Sequence, residues 1–411
     1  MAYNMMRDAD RAFTNELENE YLYKSIFDSG GKERDSKTVF VAIPCYRDEE
    51  LVATIDSIYL NAKNPDRIFV GVGLAHKKED KDYWTAITKK YKNVTIIAKE
   101  ALPQNVGLGN QRADANDSFN DQDFYLQIDA HMRFDMHWDD LLIHHYDNLK
   151  RLGDPKPLIT GYPRAYAPDI FPSVEGAYPY YNPMSKEVYF RQRRGHNNIP
   201  CFRVGLDPAK FFAEIGFPRH GDRIFTRFET IAFTYAVSPA QIFTEGSFVK
   251  EVPANRKIRF LEEEQYYSIL AYMKGYNFYV PRVTGVMHYY SEAYNQVLID
   301  NRNHPIQEFP DTYVAEKYIE DKVGGLNIFT ALKKLKGTAR SFSDYERFAS
   351  VDYENRRLIA PVNKIVHNKI TEAVNFSTEI YEYSINDYID WMYDAEYTWY
   401  EDVKRNEGPI K

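Results

Sequence analysis

Short apolar runs alternate with amphipathic stretches over residues 38–152 of this chain. Val39–Ile43 is wholly apolar, as expected of a strand buried on both faces, and the run is predicted to stop at Pro44. From Asp48 to Ala62 the apolar positions Leu51, Ile55, Ile58 and Tyr59 recur at helical spacing. Ile68–Val72, Val94–Ala98 and Phe124–Ile128 repeat the strand pattern, with helices predicted over Asp80–Tyr91 and Trp138–Leu152. Such alternation predicts an α/β fold with a mostly parallel, Rossmann-like sheet covered on both faces. Ligands then bind at the carboxyl ends of the strands. Two places qualify: Pro44-Cys45-Tyr46-Arg47-Asp48 after the first strand, and Asp129-Ala130-His131 after the fourth.

Outside this region the pattern changes. Residues 1–37 are polar and read as a peripheral segment, with one helix near Arg11–Ile26 and a loop at Gly30–Asp35. Residues 162–260 are less regular and rich in Pro, Gly, Tyr and Arg, which reads as long loops over a site. A helix over Glu262–Lys274 and a strand at Phe278–Val280 follow. Beyond about residue 300 helical patterns recur, and the end of the chain is acidic and aromatic. The expected division is a catalytic domain over 38–299 and a helical C-terminal appendage over 300–411. A length of 411 residues agrees with one large domain plus an addition.

Composition narrows the class. With 44% hydrophobic and 27% charged residues, the chain is an ordinary globular protein, and disorder is not its default state. Its 34 Tyr and 25 Phe supply buried area and rings able to stack on sugars and bases. A net charge of −8 gives no overall attraction to nucleic acid or to an anionic membrane. No stretch is apolar enough to span a bilayer, and Met1–Asp10 lacks the apolar core of a secretory signal. Cys45 and Cys201 make neither a disulfide framework nor a metal motif. A reducing cytoplasm is the expected compartment. Nothing in the pattern sets an oligomeric state.

Asp129-Ala130-His131 carries the first candidate chemistry. A carboxylate and an imidazole suit Mn²⁺, whereas Mg²⁺ prefers oxygen ligands. The bland alternative is a strand-end turn with a surface histidine. His288, in Gly285-Val286-Met287-His288-Tyr289-Tyr290, is either a further ligand or a satisfied structural residue. Asp48 either caps the helix that follows it or, like Glu49, binds a base or ribose. Arg112, in Gly109-Asn110-Gln111-Arg112, is a phosphate partner or a plain surface arginine. Glu262-Glu263-Glu264 favours a helix start whatever its function. The basic cluster of Arg191, Arg193, Arg194, His196 and Arg203 is a solvated loop or a site for an anionic acceptor or a diphosphate.

Taken in order, Val39–Glu50, Tyr125–Phe134 with Trp138-Asp139, Gly161-Tyr162-Pro163, Phe248–Pro253, Phe260–Glu264, Gly275-Tyr276 and Pro281–His288 resemble the cytoplasmic polypeptide hydroxyproline N-acetylglucosaminyltransferases. The resemblance covers about residues 38–292, and Gln127-Ile128-Asp129-Ala130-His131-Met132-Arg133-Phe134 is its most specific part. The chain departs from the family pattern in having Glu262-Glu263-Glu264 for Gly-Glu-Glu and Asn110-Gln111 before Arg112, and it diverges after Ala232.

The resemblance implies a GT-A-type nucleotide-sugar-binding fold and a retaining glycosyltransferase that uses a donor such as UDP-GlcNAc. It implies Mn²⁺ (or Mg²⁺) held by Asp129, His131 and His288. Donor contacts are expected from Pro44, Tyr46, Arg47, Asp48, Arg112 and Gln127. Glu263 and Glu264 are expected on the acceptor side of the catalytic centre, with Arg112 on the diphosphate. The implied acceptor is a hydroxyl on a protein, from hydroxyproline, Ser or Thr. Two alternatives are a phage-type DNA glycosyltransferase acting on hydroxymethylated pyrimidines, in the host cytoplasm, and a non-catalytic sugar-binding module.

Overall fold

The computed structural model describes most of residues 36–166 and 231–289, the strands between 177 and 224, and parts of 330–358. In chain order the described elements begin with β1 (Val39–Tyr46), α1 (Leu51–Asn61), β2 (Ile68–His76), β3 (Val94–Glu100) and α2 (Leu108–Asn116). They continue with β4 (Phe124–Ile128), β5 (Met132–Phe134), α3 (Trp138–Arg151), β6 (Pro157–Thr160) and β7 (Arg164–Tyr166). Two hairpins follow, β8 (Ala177–Asn182) with β9 (Glu187–Gln192), and β10 (Arg203–Leu206) with β11 (His220–Ile224). Then come β12 (Ile231–Phe233), β13 (Gln241–Glu245), α4 (Phe248–Glu251), α5 (Glu262–Met273), β14 (Asn277–Pro281) and β15 (Val286–Tyr289). Last are α6 (Phe342–Ala349), β16 (Val351–Asp352) and β17 (Arg357–Leu358). The predicted helix at Arg11–Ile26, the Gly30–Asp35 loop and most of the predicted helix over Asp80–Tyr91 lie outside the described residues.

Eight strands form one mixed sheet in the order β12-β14-β6-β13-β4-β1-β2-β3. β1 pairs in parallel with β2 on one side and β4 on the other, and β2 pairs in parallel with β3. The chain thus steps from β1 outward to β3 and returns to the opposite flank of β1. That reversal makes the carboxyl ends of β1 and β4 the switch point at which a crevice opens. Beyond β4 the sheet continues through antiparallel β13, then β6 and β14, which are parallel to each other. A second sheet, β5-β15-β7, stands at this end of the molecule.

β1 runs on to Tyr46 rather than stopping at Pro44. Its pairing with β4 ends at Ala42, while pairing with β2 continues through Pro44↔Gly73 to Tyr46↔Ala75. Past Ala42 β1 has a neighbour on one side only, and proline is tolerated where no ladder bond is lost. α2, which the periodicity did not predict, packs closely on β2. A Cβ on Gly73 would stand 1.9 Å from the Gln111 carbonyl, so only glycine permits this approach. Parts of 162–260 read as loops are instead strands, because β13 enters the middle of the main sheet with Ile242, Phe243 and Thr244 fully buried.

The described part of the expected appendage is not remote from the sheet. Leu332, Phe342, Tyr345, Ala349 and Tyr353 share one apolar core with it. Arg340 lies over the Tyr272 ring and donates to the Tyr276 carbonyl at 2.9 Å and Asn277 Oδ1 at 2.6 Å, binding the end of α5. Gly275, at φ 95°, makes the left-handed turn that ends that helix.

Candidate active site

Asp129 follows the last residue of β4, and β5 begins three residues later at Met132. Thr54, fully buried on α1, holds the segment between them. Its hydroxyl lies 2.7 Å from the Ala130 carbonyl and accepts from Met132 N–H at 2.9 Å. Ser57, one turn on, accepts from Phe134 N–H at 2.9 Å. Sequence reasoning passed over both residues. Their signal is two hydroxyls on the apolar face of α1, where an unpartnered polar group would be costly. β15 then aligns His288 with Met132 in the second sheet. Antiparallel pairing of residues 156 positions apart in the chain thus places His288 beside His131.

Three donor atoms converge. His288 Nε2 stands 3.2 Å from Asp129 Oδ2 and 3.1 Å from His131 Nε2. Donor atoms of all three side chains lie within 4.8 Å of one another. His131 Nδ1 donates to Asp48 Oδ2 at 2.7 Å, since a carboxylate can only accept. In neutral His131 the other nitrogen is therefore a lone pair, and it faces a second imidazole nitrogen at 3.1 Å. Such an arrangement calls for a proton or a cation between the rings. Metal bonds of about 2.1 Å at right angles would put neighbouring donors about 3 Å apart, so this donor set fits a divalent ion. One carboxylate with two imidazoles suits Mn²⁺ better than Mg²⁺.

Electrostatics agree. Burial opposes ionisation of Asp129, but the hydrogen bond from His288 and the charge of Arg112 outweigh it and hold the carboxyl far below the usual range. Burial also opposes protonation of His131, yet the charge and hydrogen bond of Asp48 outweigh it and raise the imidazole above its ordinary value.

Arg112 is not a surface arginine. α2 carries it into the core, 1% exposed, behind Asp129. Its Nη2 donates to Asp129 Oδ1 at 2.7 Å and lies 3.2 Å from the Pro239 carbonyl; Nε donates to Glu263 Oε1 at 2.9 Å; Nη1 donates to the Ile128 carbonyl. The guanidinium is thus turned towards protein groups on every edge. Glu263, 3% exposed at the start of α5, closes this network. Gln127, expected at the donor, is fully buried one residue before the end of β4. It donates to the Pro239 carbonyl at 3.0 Å and accepts from the Tyr125 hydroxyl at 3.0 Å. Both polar atoms of its side chain are thus engaged by buried protein groups.

At the end of β1, Pro44 is buried, while Tyr46 and Arg47 are partly exposed. Arg47 sits at φ 50°, a left-handed conformation that costs a non-glycine residue about 1–2 kcal/mol. Asp48 is 6% exposed, and its Oδ1 accepts from Glu50 N–H at 2.9 Å, so the turn reading and a site role coexist in one residue. Glu264 is half-buried and lies 3.4 Å from the Tyr162 hydroxyl. Glu49, Arg193, Arg194 and His196, with the side chains of Glu262, Arg191 and Arg203, lie outside the described residues. No described helix is long and apolar enough to cross a membrane.

Among solved structures, one described as "Crystal structure of GalNAc-T7 with UDP, GalNAc and Mn2+" is similar at a TM-score of 0.42 and 14% identity, over 70% of this chain and 55% of that chain. This chain therefore spans about half the length of that protein. No curated protein sequence matches it. The family model described as "Glycosyltransferase (GlcNAc)" matches over residues 38–104 and 92–320, the stretch that holds the sheet, the Asp129–His131 segment and His288, and the chain belongs to that glycosyltransferase family.

Proposed function

We propose that this protein is a divalent-cation-dependent, retaining glycosyltransferase of the GT-A type, acting in the cytoplasm. It moves a sugar from a nucleotide donor of the UDP-GlcNAc kind to a hydroxyl on a macromolecular acceptor, a protein in preference to DNA. The observation that carries this reading is the convergence of Asp129 Oδ2, His131 Nε2 and His288 Nε2 at the switch point of the sheet. Family membership supports the reaction class. The resemblance of the Gln127–Phe134 segment to the hydroxyproline enzymes supports the acceptor class and retention.

Asp129, His131 and His288 would hold the cation, which when bound supplies Lewis-acid stabilisation of the diphosphate leaving group. Arg112 keeps one oxygen of Asp129 occupied and so directs the other towards His288. Tyr46 and Arg47, at the partly exposed end of β1, are the residues assigned to the nucleotide. Glu263 is engaged by Arg112, so Glu264 is the carboxylate assigned to the acceptor side. With retention, the acceptor hydroxyl attacks from the leaving-group face and its proton passes to the departing phosphate. No dedicated base is then needed.

The test is a donor screen with Mn²⁺, read by mass spectrometry against a protein lysate and a hydroxymethylated DNA duplex. Turnover of one nucleotide sugar, abolished by chelator and transferred to polypeptide, is the expected result. Donor binding without turnover would make this a sugar-binding module instead. Turnover indifferent to chelator would remove the metal from the reading.

A further inference from the structure

We infer that Asp48 is a positioning residue of the cation site, acting through His131, rather than a ligand of the nucleotide. The inference rests on the cation reading of Asp129, His131 and His288. Each oxygen of the Asp48 carboxylate has a separate partner. Oδ1 accepts from Glu50 N–H at 2.9 Å, within the turn that leads into α1. Oδ2 accepts from His131 Nδ1 at 2.7 Å. The first bond fixes the plane of the carboxylate from its own backbone, and the second transmits that orientation to an imidazole 83 residues away in sequence. Asp48 is 6% exposed, so little solvent competes for either oxygen.

The consequence is a fixed tautomer. A proton held on Nδ1 by Asp48 leaves Nε2 as the lone pair, and Nε2 is the atom that faces His288. A carboxylate behind a ligating histidine also makes the imidazole a stronger donor. The third ligand candidate, Asp129, is braced in turn by Arg112, which reaches it from α2. The turn after β1 therefore serves the cation site through Asp48, while Tyr46 and Arg47 of the same turn remain for the donor.

Asparagine at this position separates the inference from a purely structural role. The Glu50 N–H requires an acceptor, so the amide oxygen of Asp48→Asn takes the Oδ1 place. Its NH₂ group then points at His131 Nδ1 and demands an acceptor there. His131 must shift its proton to Nε2, the atom needed by the cation. A turn-capping role alone predicts that Asp48→Asn behaves as wild type, since the turn bond survives.

The experiment is Mn²⁺ binding to the full chain without nucleotide, followed by the loss of the free-ion electron paramagnetic resonance signal, beside thermal unfolding of the metal-free proteins. Asp48→Asn is expected to weaken Mn²⁺ binding by about 10- to 100-fold while unfolding close to wild type. Asp48→Ala should weaken it similarly and also lower the unfolding temperature. Equal Mn²⁺ affinity in wild type and Asp48→Asn would overturn the inference and leave the cation site standing. A wild-type protein that fails to bind Mn²⁺ would overturn both.

Discussion

Arg112 Nη2 stands 2.7 Å from Asp129 Oδ1, while Oδ2 of the same carboxylate faces His288. The salt bridge therefore does two jobs: it compensates a buried guanidinium and aims a candidate ligand. Removing one partner of a buried ion network costs about 3–5 kcal/mol, because the remaining charge is stranded. Arg112→Met is expected to destabilise the protein by about that amount, chiefly through Glu263, which is 3% exposed. Arg112→Met combined with Glu263→Leu should recover part of the loss in urea denaturation. Mn²⁺ affinity should stay reduced in the double variant, because Asp129 remains unbraced. Full recovery of both properties would deny the bracing role.

Asp129→Asn keeps the shape of the side chain and one acceptor for Arg112, so its circular dichroism should match wild type. Loss of several kcal/mol of leaving-group stabilisation corresponds to roughly a thousandfold lower turnover. Near wild-type turnover in the folded variant, with or without chelator, would show that no cation acts through this residue.

His288 is brought to the site by β15, a different element from the β4–β5 segment that carries Asp129 and His131, and its substitution should be milder. His288→Ala leaves Asp129 and His131 in position, so weaker Mn²⁺ binding that excess Mn²⁺ partly rescues is the expected pattern. A purely structural histidine would instead show a lowered unfolding temperature with an unchanged Mn²⁺ dependence. Activity titrated with Mn²⁺ in both proteins distinguishes the two.

The metal-free site should bind Mn²⁺ better as pH rises. The raised pKa of His131 means that its second nitrogen holds a proton beyond the ordinary imidazole range. A cation must displace that proton, so affinity is lowest below the folded pKa and climbs as pH passes through it. Binding isotherms across the neutral range, with proton release measured alongside, give the check. Affinity independent of pH there would remove His131 from the donor set.

The acceptor is read from salt. If Arg191, Arg193 and Arg194 contacted DNA phosphates, binding would fall steeply with ionic strength, and a triple Arg→Ala variant would flatten the dependence. With a protein acceptor, activity should depend weakly on salt and the triple variant should resemble wild type. Loss of donor affinity in that variant would place the cluster on the diphosphate instead. A steep, duplex-dependent reaction on hydroxymethylated DNA would reverse the preferred acceptor while leaving the reaction class unchanged.

Local pattern was sufficient for β1 to β4, α3 and α5. β1, β2 and β4 are buried on both faces, α3 carries one apolar face, and β3 and α5 still show their apolar runs, so the pattern is written in consecutive residues. Phe124–Ile128 was predicted to the residue, and with it the place of Asp129 at a strand's carboxyl end. β5, β6, β13 and β15 were not legible, since strands of three to five residues are stabilised by partners far along the chain. The same distance hid the site's supporting network. Arg112 looks like any polar residue until α2, seated on Gly73, turns it into the core to meet Asp129 and Glu263. Asp48 satisfies its own turn whether or not His131 is near, so its sequence context carries no trace of the second bond. The sequence alone determined which residue types stand at the strand ends. Which of them meet was decided by tertiary structure, because the pairing of β15 with β5 and the packing of α2 on β2 join residues more than a hundred positions apart or bury a charge that local pattern leaves at the surface.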